Sequence, residues 1–168
     1  KNCSFLILLL FVAIGCKDKT SENQNKTTTT EAEKKPPNIV LIYTDDLGYG
    51  DISPYGATDI QTPHLDTLAA DGILFRNAYA TAATCTPSRY SVLTGNYAWR
   101  REGTSVAKGD ESLLIDPDKT TLPSLLNSVG YKTGIVGKWH LGTPKKFLPL
   151  QHGFDQYFGL PYSNDLWP

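Results

Sequence analysis

The chain has 168 residues, a net charge of −1 and a hydrophobic fraction of 40%. That balance offers no basic surface for nucleic acid and no strong field for a charged partner, and it suits a soluble globular domain once the N-terminus is set aside. Met is absent, Lys1 comes first and Asp165-Leu166-Trp167-Pro168 stops in mid-pattern, so the sequence is expected to be the N-terminal part of a larger protein. The cysteines, Cys3, Cys16 and Cys85, fall in three unlike settings, which argues against a disulfide framework.

Residues 5–14 are an unbroken apolar run, too short to span a bilayer and of the right length for the hydrophobic part of a signal peptide. The run ends in Ala13-Ile14-Gly15-Cys16, which resembles a bacterial lipobox; the alternative is a plain secretory signal cleaved nearby. The resemblance implies lipidation of Cys16 and an exported bacterial lipoprotein held to a membrane, in the periplasm or at the cell surface. Residues 17–37 are rich in Thr, Lys and Glu and nearly devoid of apolar side chains, so they are expected to form a disordered tether. The expected organisation is therefore a signal segment over 1–16, a tether over 17–37 and a globular part over 38–168.

Residues 39–43 form a short continuous apolar run, the pattern of a strand buried on both faces of a parallel sheet. It leads into Asp45-Asp46, followed by Gly48 and Gly50. Ligands of open α/β sheets bind beyond the carboxyl ends of the strands, and adjacent carboxylates there suit a hard cation such as Ca²⁺ or Mg²⁺. Taken alone, such a pair is more often the mark of a solvated turn. Thr62-Pro63 predicts a helix start, with Leu65, Leu68 and Ala69 as its buried face and Gly72 as its stop. His64, with no partner at ligand spacing, is expected at the surface, and residues 73–79 are expected to be extended.

Cys85-Thr86-Pro87-Ser88-Arg89 follows. Pro87 is tolerated in the first turn of a helix, which places Cys85 just ahead of a helix N-terminus, where backbone N–H groups favour anions. The i, i+4 spacing sets Arg89 beside Cys85. Residues 100–117 read as a charged, glycine-containing loop on the active-site side, 121–128 as a helix stopped by Gly130, and 131–136 as a strand. In the exit Gly137-Lys138-Trp139-His140, alternation would turn Lys138 and His140 to one face and Trp139 to the other. A cation beside an imidazole suits a site that binds a dianion and moves a proton. His152 is expected to be a loop residue, and Tyr157, Phe158 and Trp167 core rather than a substrate platform.

The run from Cys85 to Gly95 resembles the sulfatase signature Cys-x-Pro-Ser-Arg-x-x-x-Leu-Thr-Gly at every fixed position. The run from Gly130 to His140 resembles the second sulfatase signature, Gly-Tyr-x-Thr-x-x-x-Gly-Lys-x-His. The resemblance implies an alkaline-phosphatase-like αβα sandwich with a mostly parallel central sheet, incomplete in this sequence. It implies a sulfuric ester hydrolase, arylsulfatase A-like, in which a maturation enzyme oxidises Cys85 to Cα-formylglycine. One hydroxyl of the hydrated aldehyde would then attack sulfur and release the alcohol, and the second would lose its proton as the C–O bond breaks, sulfate leaves and the aldehyde re-forms. The metal, Ca²⁺ or Mg²⁺, would sit on Asp45, Asp46 and the modified Cys85. Arg89 and Lys138 would offset charge on the sulfuryl oxygens, His140 would transfer a proton, and Ser163, in Pro161-Tyr162-Ser163, would contact the sulfate together with Lys138. Family members add a later Asp-Asn pair and a further His and Lys; without these the 168 residues hold half a site and are expected to be inactive alone. Two other functions fit the sequence: a phosphonate monoester or phosphodiester hydrolase of the same superfamily, and a catalytically incomplete lipoprotein that binds sulfated glycans. In each reading the partner is a sulfated small molecule or glycan, or a related ester, and never nucleic acid.

Overall fold

The computed structural model describes residues 35–108 and 114–163. The expected signal segment, Cys16, most of the tether and Trp167 lie outside the described residues. The chain divides into two units, one ending at Ile42 and the other beginning at Tyr43. Within the first, residues 35–42 are without regular structure and their side chains are exposed, Val40 at 84%. The strand expected over 39–43 is therefore not formed among the described residues. A fully buried strand needs a neighbouring ladder on each edge and a layer on each face, and an apolar run without them has nothing to pair with.

The second unit is a partial α/β arrangement. Its helices are α1 (Pro63–Asp71), α2 (Cys85–Thr94) and α3 (Leu122–Ser128), and its strands are β1 (Gly134–Lys138) and β2 (Gln156–Leu160). β1 and β2 pair in parallel, Gly134 opposite Gln156 and Lys138 opposite Leu160. Gly137 and Gly159 face each other in this register, and a Cβ on Gly159 would run into the Gly137 carbonyl, so this rung requires glycine. The core gathers Tyr90, Leu93, Ala98, Ala107, Leu114, Ile115, Trp139 and Leu141.

α1 starts at Pro63 with Thr62 as N-cap and stops at Gly72, as the sequence predicts, but none of its residues is buried and Leu68 is 64% exposed. Residues 73–79 contain no strand, and Ile73, Phe75 and Tyr79 are all exposed. α3 is closed at its N-terminus by a reciprocal cap. The Ser124 amide donates to Thr121 Oγ1 at 3.3 Å and the Thr121 amide to Ser124 Oγ at 2.8 Å. Gly130 follows it at φ 90°, the left-handed conformation expected after a helix end.

The strand expected over 131–136 is displaced to Gly134–Lys138. Thr133 and the ends of its neighbours are engaged otherwise: its amide donates to Asp155 Oδ2 at 2.8 Å and its hydroxyl to the Gly153 carbonyl at 2.9 Å. Phe158 is 80% exposed and Tyr157 only half-buried, so the expectation of core aromatics fails for Phe158. The loop over 100–117 is not merely a surface feature. Thr104, Ala107, Leu114 and Ile115 are all buried.

Candidate active site

Cys85 is the first residue of α2 rather than the residue ahead of it; Thr84 takes the N-cap position with extended backbone. Pro87 then falls in the first turn, where no amide donor is missed. Cys85 is half-buried and its thiol is free. One turn on, the Arg89 guanidinium reaches away from the helix. Its Nη1 donates to the Lys138 carbonyl at 2.6 Å, its Nη2 lies 3.4 Å from Asp45 Oδ1, and Tyr43 covers it with its ring centroid 5.6 Å away. The partners of Arg89 are thus Asp45, Lys138 and Tyr43.

Lys138, the last residue of β1, donates from Nζ to Asp45 Oδ2 at 2.6 Å. Asp45 is therefore shared between two cations that come from α2 and from β1. The hydrogen bond from Lys138 holds its carboxyl below the usual carboxylate range; partial burial opposes this, and the charge of Arg89 reinforces it. Its side chain remains 36% exposed, so water screens the pair and a part of this attraction is lost. Asp46 beside it is exposed and has φ 53°, a left-handed conformation that Asp adopts more readily than most residues. Among the described residues no group of three His, Cys, Asp or Glu side chains converges as a complete metal-binding set.

His140 departs from the alternation expected of it. Its φ is 58° and β1 has ended at Lys138, so Trp139 and His140 are both buried, at 1% and 0% exposure. Two β2-side carbonyls hold this exit: the Trp139 amide donates to the Leu160 carbonyl at 2.9 Å and the His140 amide to the Pro161 carbonyl at 3.1 Å. The ring of Tyr162 meets the His140 imidazole edge-on at 5.0 Å, and Ser163 follows, buried. Pro161-Tyr162-Ser163 is thereby laid along the same strand exit as Lys138 and His140. His64 is exposed, as expected. His152 lies in a turn, as expected of a loop residue, but it is 5% exposed and stacks on Trp139 with centroids 5.8 Å apart. Burial pushes its pKa below the ordinary histidine value, with a backbone hydrogen bond at Phe147 working the other way.

The arrangement brings Asp45, Arg89 and Lys138 into direct contact and sets His140 and Ser163 against the end of β2. Sequence reading missed two features of it. One is Tyr43 over Arg89. The other is β2, although Tyr157-Phe158 between Gly153 and Pro161 has the aromatic content and turn punctuation of a short strand.

The chain belongs to the sulfatase family, whose model, described as Sulfatase, matches residues 37–168. It is 43% identical to an N-acetylgalactosamine-6-O-sulfatase of Bacteroides thetaiotaomicron over 100% of this chain and 34% of that protein. It is 45% identical to arylsulfatase A of Bos taurus over 82% of this chain and 28% of that protein. Among solved structures, a sulfatase from work on the metabolism of multiple glycosaminoglycans by B. thetaiotaomicron superposes with a TM-score of 0.74 at 48% identity, over 79% of this chain and 30% of that one. The fold is thus the sulfatase fold in part, alkaline-phosphatase-like, and the chain spans about a third of the length of the relatives it matches.

Proposed function

We propose that the full-length protein hydrolyses sulfate monoesters, with a sulfated glycan as the substrate class, at a site organised around Cys85. The observation that carries this reading is the junction of Asp45, Arg89 and Lys138, which brings two cations from distant segments onto one carboxylate beside the helix that opens with Cys85. The side chains of Arg89 and Lys138 are only 12% and 16% exposed, so their fields are weakly screened and suited to holding a dianion as charge shifts among its oxygens. Arg89 Nε is buried and has no hydrogen-bond partner among the described residues, which leaves one guanidinium donor for a bound oxygen. Asp45 aims the Lys138 ammonium. His140 serves as the proton-transfer group and Ser163 as a sulfate contact. The relatives' names point the same way, one being an N-acetylgalactosamine-6-O-sulfatase.

In this reading Cys85 is converted to Cα-formylglycine by a maturation enzyme, and the hydrated aldehyde supplies the nucleophile that a thiol does not. Asp45 and Asp46 are hard oxygen donors of the kind Ca²⁺ and Mg²⁺ take, and together with the modified residue they would hold part of the coordination shell. The cation supplies Lewis-acid polarisation of the sulfate. The same reading places the protein outside the cytoplasm, tethered through a lipidated Cys16, with catalysis by residues 38–168 and the remainder of a complete sulfatase.

The experiment is a rate comparison on the full-length protein with aryl sulfate, aryl phosphate diester and aryl phosphonate esters, with sulfated and desulfated oligosaccharides in parallel. Preferred turnover of the sulfates supports the reading. Preferred turnover of a phosphorus ester points to the superfamily alternative, and glycan affinity with no turnover points to a binding protein. Separately, Cys16→Ser should release the protein from membranes or block its processing, because each buried acyl CH₂ is worth about 0.8 kcal/mol.

A further inference from the structure

Thr86 stands directly after Cys85, at the one position of Cys-x-Pro-Ser-Arg that the signature leaves open. It is polar and yet 0% exposed, so its hydroxyl has to find partners inside the protein. It finds two that belong to different segments. Thr86 Oγ1 donates to the His140 carbonyl at 3.1 Å and accepts from the Ala107 amide at 3.0 Å. The Ala107 carbonyl is 3.0 Å from His140 Nε2. These contacts close a circuit that runs from the first turn of α2 to the loop at Ala107, on to the imidazole, and through the backbone of His140 back to Thr86.

The circuit has a chemical consequence. A carbonyl oxygen only accepts, so the hydrogen bond to Ala107 requires the proton on Nε2, and in the neutral ring Nδ1 then carries the lone pair. The backbone of His140 is held at φ 58°, which a non-glycine residue adopts only when its surroundings impose it. The Thr86 hydroxyl on its carbonyl and the Pro161 carbonyl on its amide supply that constraint. Thr86 thus acts on the ring from both ends: it fixes the His140 backbone and it fixes Ala107, whose carbonyl selects the tautomer.

We propose that Thr86 is a positioning residue that locks His140 in the Nε2–H tautomer, leaving Nδ1 as the nitrogen that exchanges a proton during turnover. The catalytic half of this statement rests on His140 being the proton-transfer group; the tautomer does not. The circuit also ties the residue next to the nucleophile to the imidazole, so that a displacement of the α2 N-terminus is felt at His140 through Thr86. Such indirect supports of a working histidine are costly to remove.

The test is made on the full-length protein labelled with ¹⁵N-histidine, with His140 assigned by its loss in His140→Gln. Long-range proton–nitrogen correlation at neutral pH should show Nε2 protonated and Nδ1 bare in the unaltered protein. Thr86→Val, which keeps the shape and removes the hydroxyl, should shift His140 toward mixed tautomers and lower kcat roughly 10–100-fold with KM little changed. Thr86→Ser keeps the hydroxyl and should restore both. A protonated Nδ1 in the unaltered protein overturns the proposal, and so does a Thr86→Val protein with an unaltered tautomer and kcat. Should Thr86→Val fail to fold, the spectrum of the unaltered protein and the Thr86→Ser rates still decide. A protein that turns over no sulfate ester while showing the Nε2–H tautomer would refute the functional reading and leave the lock in place; normal turnover with the other tautomer would do the reverse.

Discussion

α1 and α2 differ in burial in the opposite sense to their apolar content. α1 carries Leu65, Leu68 and Ala69 at helical spacing and reads as the buried helix, yet none of its residues is buried. α2 is polar for a core element, yet Thr86, Ser88, Tyr90, Ser91, Leu93 and Thr94 are all buried. The difference lies in where the hydroxyls go. Ser88 Oγ donates to the Thr84 carbonyl at 2.8 Å, Ser91 Oγ to the Pro87 carbonyl at 3.0 Å and Thr94 Oγ1 to the Tyr90 carbonyl at 2.7 Å. These three hydroxyls are satisfied by carbonyls of the same helix or its N-cap, and Thr86 is satisfied by other segments, which removes most of the cost of burying them. The lesson is that burial follows from what packs against a helix and from whether its polar atoms are satisfied; an apolar stripe alone does not secure it.

The largest expected effect breaks the comparison at the first residue of α2. Cys85→Ala in the full-length protein should reduce turnover by at least about four orders of magnitude while leaving the melting curve almost unchanged, because in the proposed mechanism this residue forms the covalent intermediate. Peptide mass spectrometry of active protein should find Cys85 about 18 Da lighter than unmodified cysteine. Intact cysteine in fully active protein would end this mechanism.

Next in size is a test of whether the exposed Asp45-Asp46 segment belongs functionally with α2. Asp45→Asn leaves Lys138 and Arg89 without their shared carboxylate and should lower kcat/KM about 10²–10³-fold. Chelation followed by return of Ca²⁺ or Mg²⁺ should restore activity in the unaltered protein and not in the variant. Unchanged rates when both Asp45 and Asp46 are replaced by Asn would show the pair to be a turn.

A smaller effect sharpens the comparison directly. Ser91 Oγ, besides capping Pro87, accepts from the Ala98 amide at 3.2 Å, so Ser91→Ala leaves a buried donor unsatisfied and should cost about 1–3 kcal/mol in chemical denaturation. Leu68→Ala on α1 removes a far larger apolar side chain but an exposed one, and should stay within about 0.5 kcal/mol of the unaltered protein. The reverse order of costs would show that α1 is covered in the full-length protein and that its apolar stripe was the better guide.

The smallest effect concerns the histidine beneath Trp139. His152 has a pKa lowered by burial, so the folded state resists a proton that the unfolded state accepts. Its contribution to stability is complete above its ordinary value of 6.5 and is lost as the pH falls from there through the lower folded value. His152→Gln should flatten this part of the melting-temperature profile by roughly a few degrees across pH 5–7. Parallel profiles for the two proteins would remove His152 from any pH dependence.

Much of the candidate site was legible in the sequence because its residues cluster around turns that punctuate the chain. Pro87 and Gly95 bracket α2, and Gly137 to Gly142 flanks the exit of β1, so the placement of Cys85, Arg89, Lys138 and His140 near element ends followed from local rules. The signatures themselves pointed to the sulfatase family, which the match over residues 37–168 bears out. Less legible were contacts between distant segments. Nothing in the spacing of Arg89 from Cys85 says that the guanidinium turns to Asp45 and the Lys138 carbonyl, and nothing in the alternation of Lys138, Trp139 and His140 anticipates a left-handed histidine.

The sequence by itself determined the elements whose causes are local: the Pro63 start and Gly72 stop of α1, the helix over 121–128 with its turn at Gly130, and a cysteine at the opening of α2. Tertiary structure alone decided which faces are buried, where β1 begins and ends, and that Asp45 is held between two cations. It also decided that His140 is enclosed by Thr86 and Ala107. The physical reason is range. Capping and turn chemistry are settled within a few residues, whereas burial, strand pairing and charge sharing depend on which other segment arrives, and a one-dimensional pattern names the groups that need a partner without saying which partner they meet.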